Sequence, residues 1–256
     1  MKKVLVTGAA GKVGQLLARA WANEYRLTLI DLVKPRGGAG ATFILGDAND
    51  IDLLRANLQD ANAMIHLATS GHIADGWDDL VPTAFTATWS AFQAASDARC
   101  ERVVFASSLN IDLRPQKPYS AAKLWGEMLA RRYTAAHELS VICLRLGTVA
   151  AYTEPALSAG NRRLGYVLTF QDLIRLFTCA VEAPAAVRFG VFNGISNRRH
   201  PRFSIEAART VLGYEPRDDV YALARRALVT PAGIWSLVRR SVRKARRIVS
   251  GKDSGP

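Results

Sequence analysis

The chain has 256 residues, 49% of them hydrophobic and 22% charged, with a formal net charge of +12 and a mean hydropathy of +0.03. That length supports a sizeable core in one large domain or two modest ones, and the composition excludes a disordered chain or one that is mostly membrane-embedded.

Met1-Lys2-Lys3 runs straight into Val4-Leu5-Val6-Thr7-Gly8, a strand and turn that leave no room for a signal peptide, so a cytoplasmic protein is expected. After this first strand (Lys3 to Thr7) come Thr7-Gly8-Ala9-Ala10-Gly11-Lys12-Val13-Gly14 and then apolar residues three and four apart, Val13, Leu16, Leu17 and Ala20. A glycine triplet between a strand and a helix suits a dinucleotide. Gly8 permits the tight turn, Gly11 lets the backbone approach a pyrophosphate, and Gly14 allows the helix to pack closely on the strand. The helix amino terminus adds free N–H groups and a positive dipole.

The second strand, Leu27 to Asp31, ends in an acid 17 residues past Gly14. A carboxylate there accepts from both adenosine ribose hydroxyls and repels a 2′-phosphate, which favours NAD over NADP, although Lys34 and Arg36 nearby pull the other way. Thr42 to Leu45 reads as a third strand, and Asp47 after it is either an adenine neighbour or a turn acid. Ala63 to Leu67 reads as a fourth strand. The longest uncharged stretch, Leu80 to Ser96, spans 17 residues with a proline and several Thr and Ser, too short and polar to cross a membrane. It reads instead as part of a long helix, Leu80 to Ala98.

A fifth strand, Arg102 to Ala106, leads into Ser107-Ser108, and strand carboxyl ends are where such sheets hold ligands. Tyr119-Ser120-Ala121-Ala122-Lys123 follows, in a helix reading from Pro118 to His137; the four-residue spacing puts phenol and amine on one face. An ammonium there would lower the tyrosine pKa toward a general base's range. Val141 to Leu146 is the sixth strand. This alternation implies right-handed βαβ units, hence an α/β fold with a doubly wound parallel sheet. Beyond Gly147, a helix (Gln171 to Val181), a strand (Val187 to Asn193) and a helix (Ser204 to Leu212) fit a small substrate cap, giving a body over residues 1–230 with its cap formed mainly from 147–230. Cys100, Cys143 and Cys179, widely spaced in apolar surroundings, read as reduced core thiols, and no metal site is expected.

Residues 231–256 hold seven basic residues and one acid, half of the net charge. Within 234–249 apolar residues recur at helical spacing beside the cations. Such a helix suits an anionic membrane interface, placing the protein peripherally at the inner face. A solvated helix of no specific role is the other reading; nucleic-acid binding is disfavoured by the absence of a base-reading module.

Glycine triplet, strand-end serine and Tyr-x-x-x-Lys, in this order, resemble a short-chain dehydrogenase/reductase of the extended, NAD-dependent epimerase/dehydratase branch, and within it most the uronate dehydrogenases. Val104-Phe105-Ala106-Ser107-Ser108, Leu144-Arg145-Leu146-Gly147-Thr148 and Leu212-Gly213-Tyr214-Glu215-Pro216 match that style. The resemblance implies a Rossmann-type sheet and an NAD-dependent oxidoreductase in which Ser108 (or Ser107, one place off), Tyr119 and Lys123 are catalytic. It puts Arg162, or its neighbour Arg163, on a substrate carboxylate, with Asn110 a further substrate contact. The expected cofactor contacts are Gly8, Gly11, Lys12, Val13, Gly14, Asp31, Asp47, Ala48, Leu67 and Ala68, joined by Tyr119 and Lys123. By the same likeness, the helices 80–98 and 118–137 would pair two copies into a homodimer.

The chain also departs from the family. Ten residues separate Ser108 from Tyr119, fewer than the family's substrate loop. Leu109-Asn110 replaces an Asn-His pair, and Ala84-Phe85-Thr86-Ala87 lacks the family's relay Asn. These changes point away from glucuronate itself, and the missing Asp-Glu pair after the serine points away from a dehydratase. A small sugar, sugar acid or cyclitol is the expected substrate; the alternatives are an epimerase that retains its NAD and a weakly catalytic NAD-binding module docked at a membrane.

Overall fold

Short aliphatic and β-branched runs carry a parallel sheet in the computed structural model, which describes residues 1–69, 76–151, 162–197 and 202–229. Its strands are β1 (Lys3–Thr7), β2 (Arg26–Asp31), β3 (Thr42–Leu45), β4 (Ala63–His66), β5 (Arg102–Ser108), β6 (Ser140–Leu146) and, after the short β7 (Thr148–Ala150) and β8 (Val167–Thr169), β9 (Phe189–Gly194). The order is β3-β2-β1-β4-β5-β6-β9, every neighbour parallel. Alternate residues face opposite layers. Val4 and Val6 join Leu17, Trp21, Leu176 and Phe177 in one core, while Leu5 joins Leu54, Phe92, Phe105 and Tyr133 in the other. The sheet is therefore covered on both sides, as continuous apolar strands require.

The helices are α1 (Lys12–Ala20), α2 (Ile51–Asn57), α3 (Trp77–Leu80), α4 (Ala87–Asp97), α5 (Asn110–Leu113), α6 (Pro118–His137), α7 (Phe170–Glu182), α8 (Glu206–Leu212) and α9 (Val220–Val229). Their ends follow local chemistry. Asp50 accepts the Leu53 N–H to start α2, Thr169 does the same for α7 from Asp172, and Pro118 opens α6. Strand order reverses between β1 and β4, and the carboxyl ends of these two strands form the crevice where such sheets bind ligands.

One sequence expectation changes here. The single helix over 80–98 is divided into α3, a π-helical turn at Val81–Thr86 and α4. Pro82 cannot donate to the helical ladder, and its ring crowds the preceding turn, so the backbone widens there. The helices and strand of residues 171–212, read with the cap, pack on the main body. Leu173, Leu176 and Phe177 of α7, and Ala208 and Leu212 of α8, share the core of β1; β9 hydrogen-bonds along β6 as an outer strand of the sheet. A smaller cluster above the sheet, Ala150, Leu164, Val167, Val220 and Ala224, ties the β7·β8 pair to α9. Residues 231–256, where the basic helix is expected, lie outside the described residues.

Candidate active site

A groove runs along the carboxyl ends of the strands in two connected halves, of about 420 and 410 Å3, sharing Gly8, Gly11, Leu67 and Thr69. Gly8 sits at φ +70°, where a Cβ would meet the Ala68 backbone at 2.7 Å, and a Cβ on Gly14 would lie 2.6 Å from Ala9. Only glycine keeps the turn tight and α1 seated on it. Gly11 precedes α1 with no side chain capping the helix, so the first N–H groups of α1 are left without a side-chain acceptor. Lys12 reaches across the groove, its Nζ donating to the Val149 carbonyl at 3.1 Å, and Val13 lines the same half.

In the other half, Asp31, Asp47, Ala48 and Ala68 line the wall. The Asp31 carboxylate accepts the Ala10 N–H at 2.8 Å and the Val33 N–H at 3.2 Å, which fixes it beside the glycine turn with lone pairs to spare. Asp47 Oδ1 accepts from the Asn49 backbone at 2.9 Å, so it acts as a turn acid while also facing the groove. The residues fit a dinucleotide: a glycine cradle with no room for side chains, an open helix amino terminus, and a carboxylate placed for vicinal hydroxyls.

Ser108, Tyr119 and Lys123 come together on the floor of the first half. The Tyr119 hydroxyl is hydrogen-bonded to Ser108, and the Ser108 Oγ accepts the Asn110 N–H at 3.2 Å. Lys123 Nζ lies 5.6 Å from the Tyr119 ring centroid and 5.1 Å over that of Phe105, a desolvated cation–π contact. Gly126 lets α6 approach so closely: a Cβ there would overlap the Phe105 ring. Burial dominates the electrostatics. It pushes the Tyr119 phenol up, against the hydrogen bond with Ser108, and brings the Lys123 ammonium down to about 8. Spacing suggests a downward shift from Lys123; instead burial dominates, and what opposes it is the Ser108 hydrogen bond.

Ser107, the alternative to Ser108, points the other way. Its hydroxyl donates to Glu127 Oε1 at 2.5 Å, and Arg145 holds both carboxylate oxygens, Nε on Oε1 at 2.8 Å and one Nη on Oε2 at 2.7 Å. Glu127 did not stand out in the sequence, although it is one helical turn past Lys123 on the same face, and Arg145 stood within a phrase shared with the family without a role of its own. His66 was also missed. Buried at the end of β4, it puts one ring nitrogen on Thr7 Oγ1 at 2.8 Å and the other on Thr88 Oγ1 at 3.3 Å, and stacks on Phe105. Burial and then the nearby charge of Lys123 hold its pKa down to about 3. Asn110 lines the cleft. Arg162 opens a 3-10 turn, Arg162–Tyr166, that brings Tyr166 to the cleft; the side chains of Arg162 and Arg163 lie outside the described residues. Cys100 and Cys143 are buried, Cys179 is partly so, and all three are free thiols.

The model of the NAD dependent epimerase/dehydratase family matches residues 4–169. An NAD-dependent glucose-6-phosphate dehydrogenase of Haloferax volcanii is 29% identical, the match covering 84% of this chain and 93% of that protein. L-arabinose 1-dehydrogenase (NAD(P)(+)) of the same organism is 26% identical over 86% of this chain and 98% of its own. Among solved structures, a mutated uronate dehydrogenase superposes with a TM-score of 0.78 at 25% identity, covering 91% of this chain and 87% of that one. Uronate dehydrogenase from Agrobacterium tumefaciens shares the fold with a TM-score of 0.78 at 24% identity, with 90% of each chain covered.

Proposed function

Because the chain belongs to the NAD dependent epimerase/dehydratase family, we propose that it is an NAD-dependent oxidoreductase acting on one hydroxyl of a small sugar, sugar acid, sugar phosphate or cyclitol. What supports the reading is a single groove lined by the glycine turn and Asp31 at one end and by Ser108, Tyr119 and Lys123 at the other. The glycine turn and the α1 amino terminus would hold the pyrophosphate, and Asp31 the adenosine ribose. NAD, when bound, would supply the two-electron hydride acceptor that an alcohol oxidation requires.

The chain supplies orientation and proton handling. Ser108 Oγ accepts the Asn110 N–H, and its own hydrogen, directed at the Tyr119 phenol, would turn to the reacting oxygen once a substrate lies between them. Tyr119 takes the hydroxyl proton as its carbonyl forms. Lys123, held on Phe105, favours the phenolate and donates to the nicotinamide ribose. Leu109, Leu113 and Leu146 narrow the cleft around this point, which suits the apolar C–H face of a small ring and helps to exclude water.

Two finer surfaces complete the proposal. Residues 234–249 form a peripheral anchor on an anionic membrane surface, supported by their basic, amphipathic sequence; among the described residues no helix is long and apolar enough to cross a membrane. Trp89 on α4 and Leu124 and Met128 on α6, exposed by 42%, 43% and 65%, form a homodimer face.

The test is NADH formation, followed by absorbance, with NAD and a panel of neutral aldoses, their phosphates, uronates and cyclitols. Turnover on at least one class is expected. Tight NAD binding with no reduction on any of them would contradict the oxidoreductase reading, and an altered sugar with unchanged nicotinamide absorbance would replace it with epimerisation.

A further inference from the structure

The loop between Ser108 and Tyr119 folds into one helical turn, α5, and it lines the cleft through Leu109, Asn110 and Leu113. Two ties hold it. On one side the buried Ser120 hydroxyl bonds the carbonyls of Asn110 and Arg114, at 2.9 and 2.8 Å. On the other, Arg145 Nη1 reaches the Asp112 carboxylate at 3.1 Å. The direction of that last bond is not free. The opposite edge of the guanidinium is held in bidentate fashion by Glu127, and a planar fork held on one edge has a fixed orientation at the other. Glu127 lies on α6, one turn past Lys123 and two past Tyr119, and Arg145 stands opposite Ser107 in the β5·β6 register. Asp112 is therefore fastened to the same frame that carries the phenol and the amine.

We propose that Asp112 is a positioning residue: through Arg145 it sets where α5 sits, and so where Asn110 presents its N–H to Ser108 and its side chain to a substrate. The inference rests on the oxidoreductase reading of the cleft. A longer loop would reach its own contacts over the substrate; this shortened one is oriented from below, by an ion pair, and is part of the specificity of the site. The Asp112 side chain is 47% exposed, so the pair adds little to folding. Its effect is geometric, and displacement of a positioned group by 1 Å can cost on the order of 100-fold in rate.

The test compares Asp112→Ala and Asp112→Glu with the full-length protein. On whichever sugar is turned over, Asp112→Ala should raise KM for the sugar about tenfold, with the affinity for NAD and the thermal midpoint unchanged, and Asp112→Glu should recover much of the loss. A surface pair of no consequence would leave KM untouched in both variants and would overturn the proposal. Hydrogen–deuterium exchange tests the clamp without any substrate. Amides of residues 110–117 should exchange several-fold faster in Asp112→Ala while those of residues 8–20 do not change; equal exchange in the two proteins overturns the clamp even if turnover is found, whereas absence of turnover on every sugar counts against the oxidoreductase reading alone.

Discussion

Tyr119 and Lys123 line the cleft, His66 is buried near Lys123, and burial is the main influence on the protonation of all three. The unfolded His66 ring binds a proton near 6.5, while the folded ring resists it down to about 3. The stability contributed by keeping this ring neutral is complete above about 6.5 and is lost as pH falls toward 3, by about 1.4 kcal/mol per pH unit for the one proton. Urea unfolding between pH 6.5 and 4 should show that slope in the wild type and a flatter one in His66→Gln, whose side chain does not titrate; parallel curves would mean that His66 does not carry the effect. The Tyr119–Lys123 relation was legible because helical spacing alone places both on one face. The partners of His66 and Glu127 were not, since Thr7 lies 59 residues from His66 and Arg145 18 from Glu127; the β1·β4 register joins the first pair, and the packing of α6 on the sheet joins the second.

At the scale of elements, glycine shows which turns are set by space and which by backbone alone. A Cβ on Gly14 would strike Ala9 at 2.6 Å. Gly14→Ala should therefore push α1 from the sheet, at about 1–3 kcal/mol, and weaken NAD binding, as read by chemical unfolding and calorimetric titration. Gly213 at φ +69° has nothing within 4 Å, so Gly213→Ala should cost about 1–2 kcal/mol and leave NAD affinity alone. Equal effects of the two on NAD affinity would count against the cradle. The main strands could be read from sequence because each is an apolar run bounded by turn residues. The β7·β8 pair and α5 could not, as elements of three or four residues depend on what packs beneath them. The place of α7 was not legible for a related reason: its amphipathic pattern predicts a buried face without saying which core receives it.

For the whole molecule, the same logic applies to its surfaces. Trp89 on α4 and Leu124 and Met128 on α6 are exposed apolar side chains; if they form the proposed dimer face, analytical ultracentrifugation should find a dimer, and Met128→Glu should shift it to monomer with turnover chemistry intact. A monomer at all concentrations would dismiss that face. The basic tail predicts that the full chain sediments with anionic liposomes and that a chain truncated after Thr230 does not, the difference falling as salt rises; equal recovery would dismiss the anchor. The central claim is narrower than either surface, that the phenol of Tyr119 handles the substrate proton beside a bound dinucleotide. Tyr119→Phe, measured for both NAD affinity and turnover, tests it most directly. The NAD dissociation constant should stay within about twofold while turnover drops by at least about 100-fold; a variant that turns over at the wild-type rate, or that loses NAD binding in proportion to activity, would contradict it.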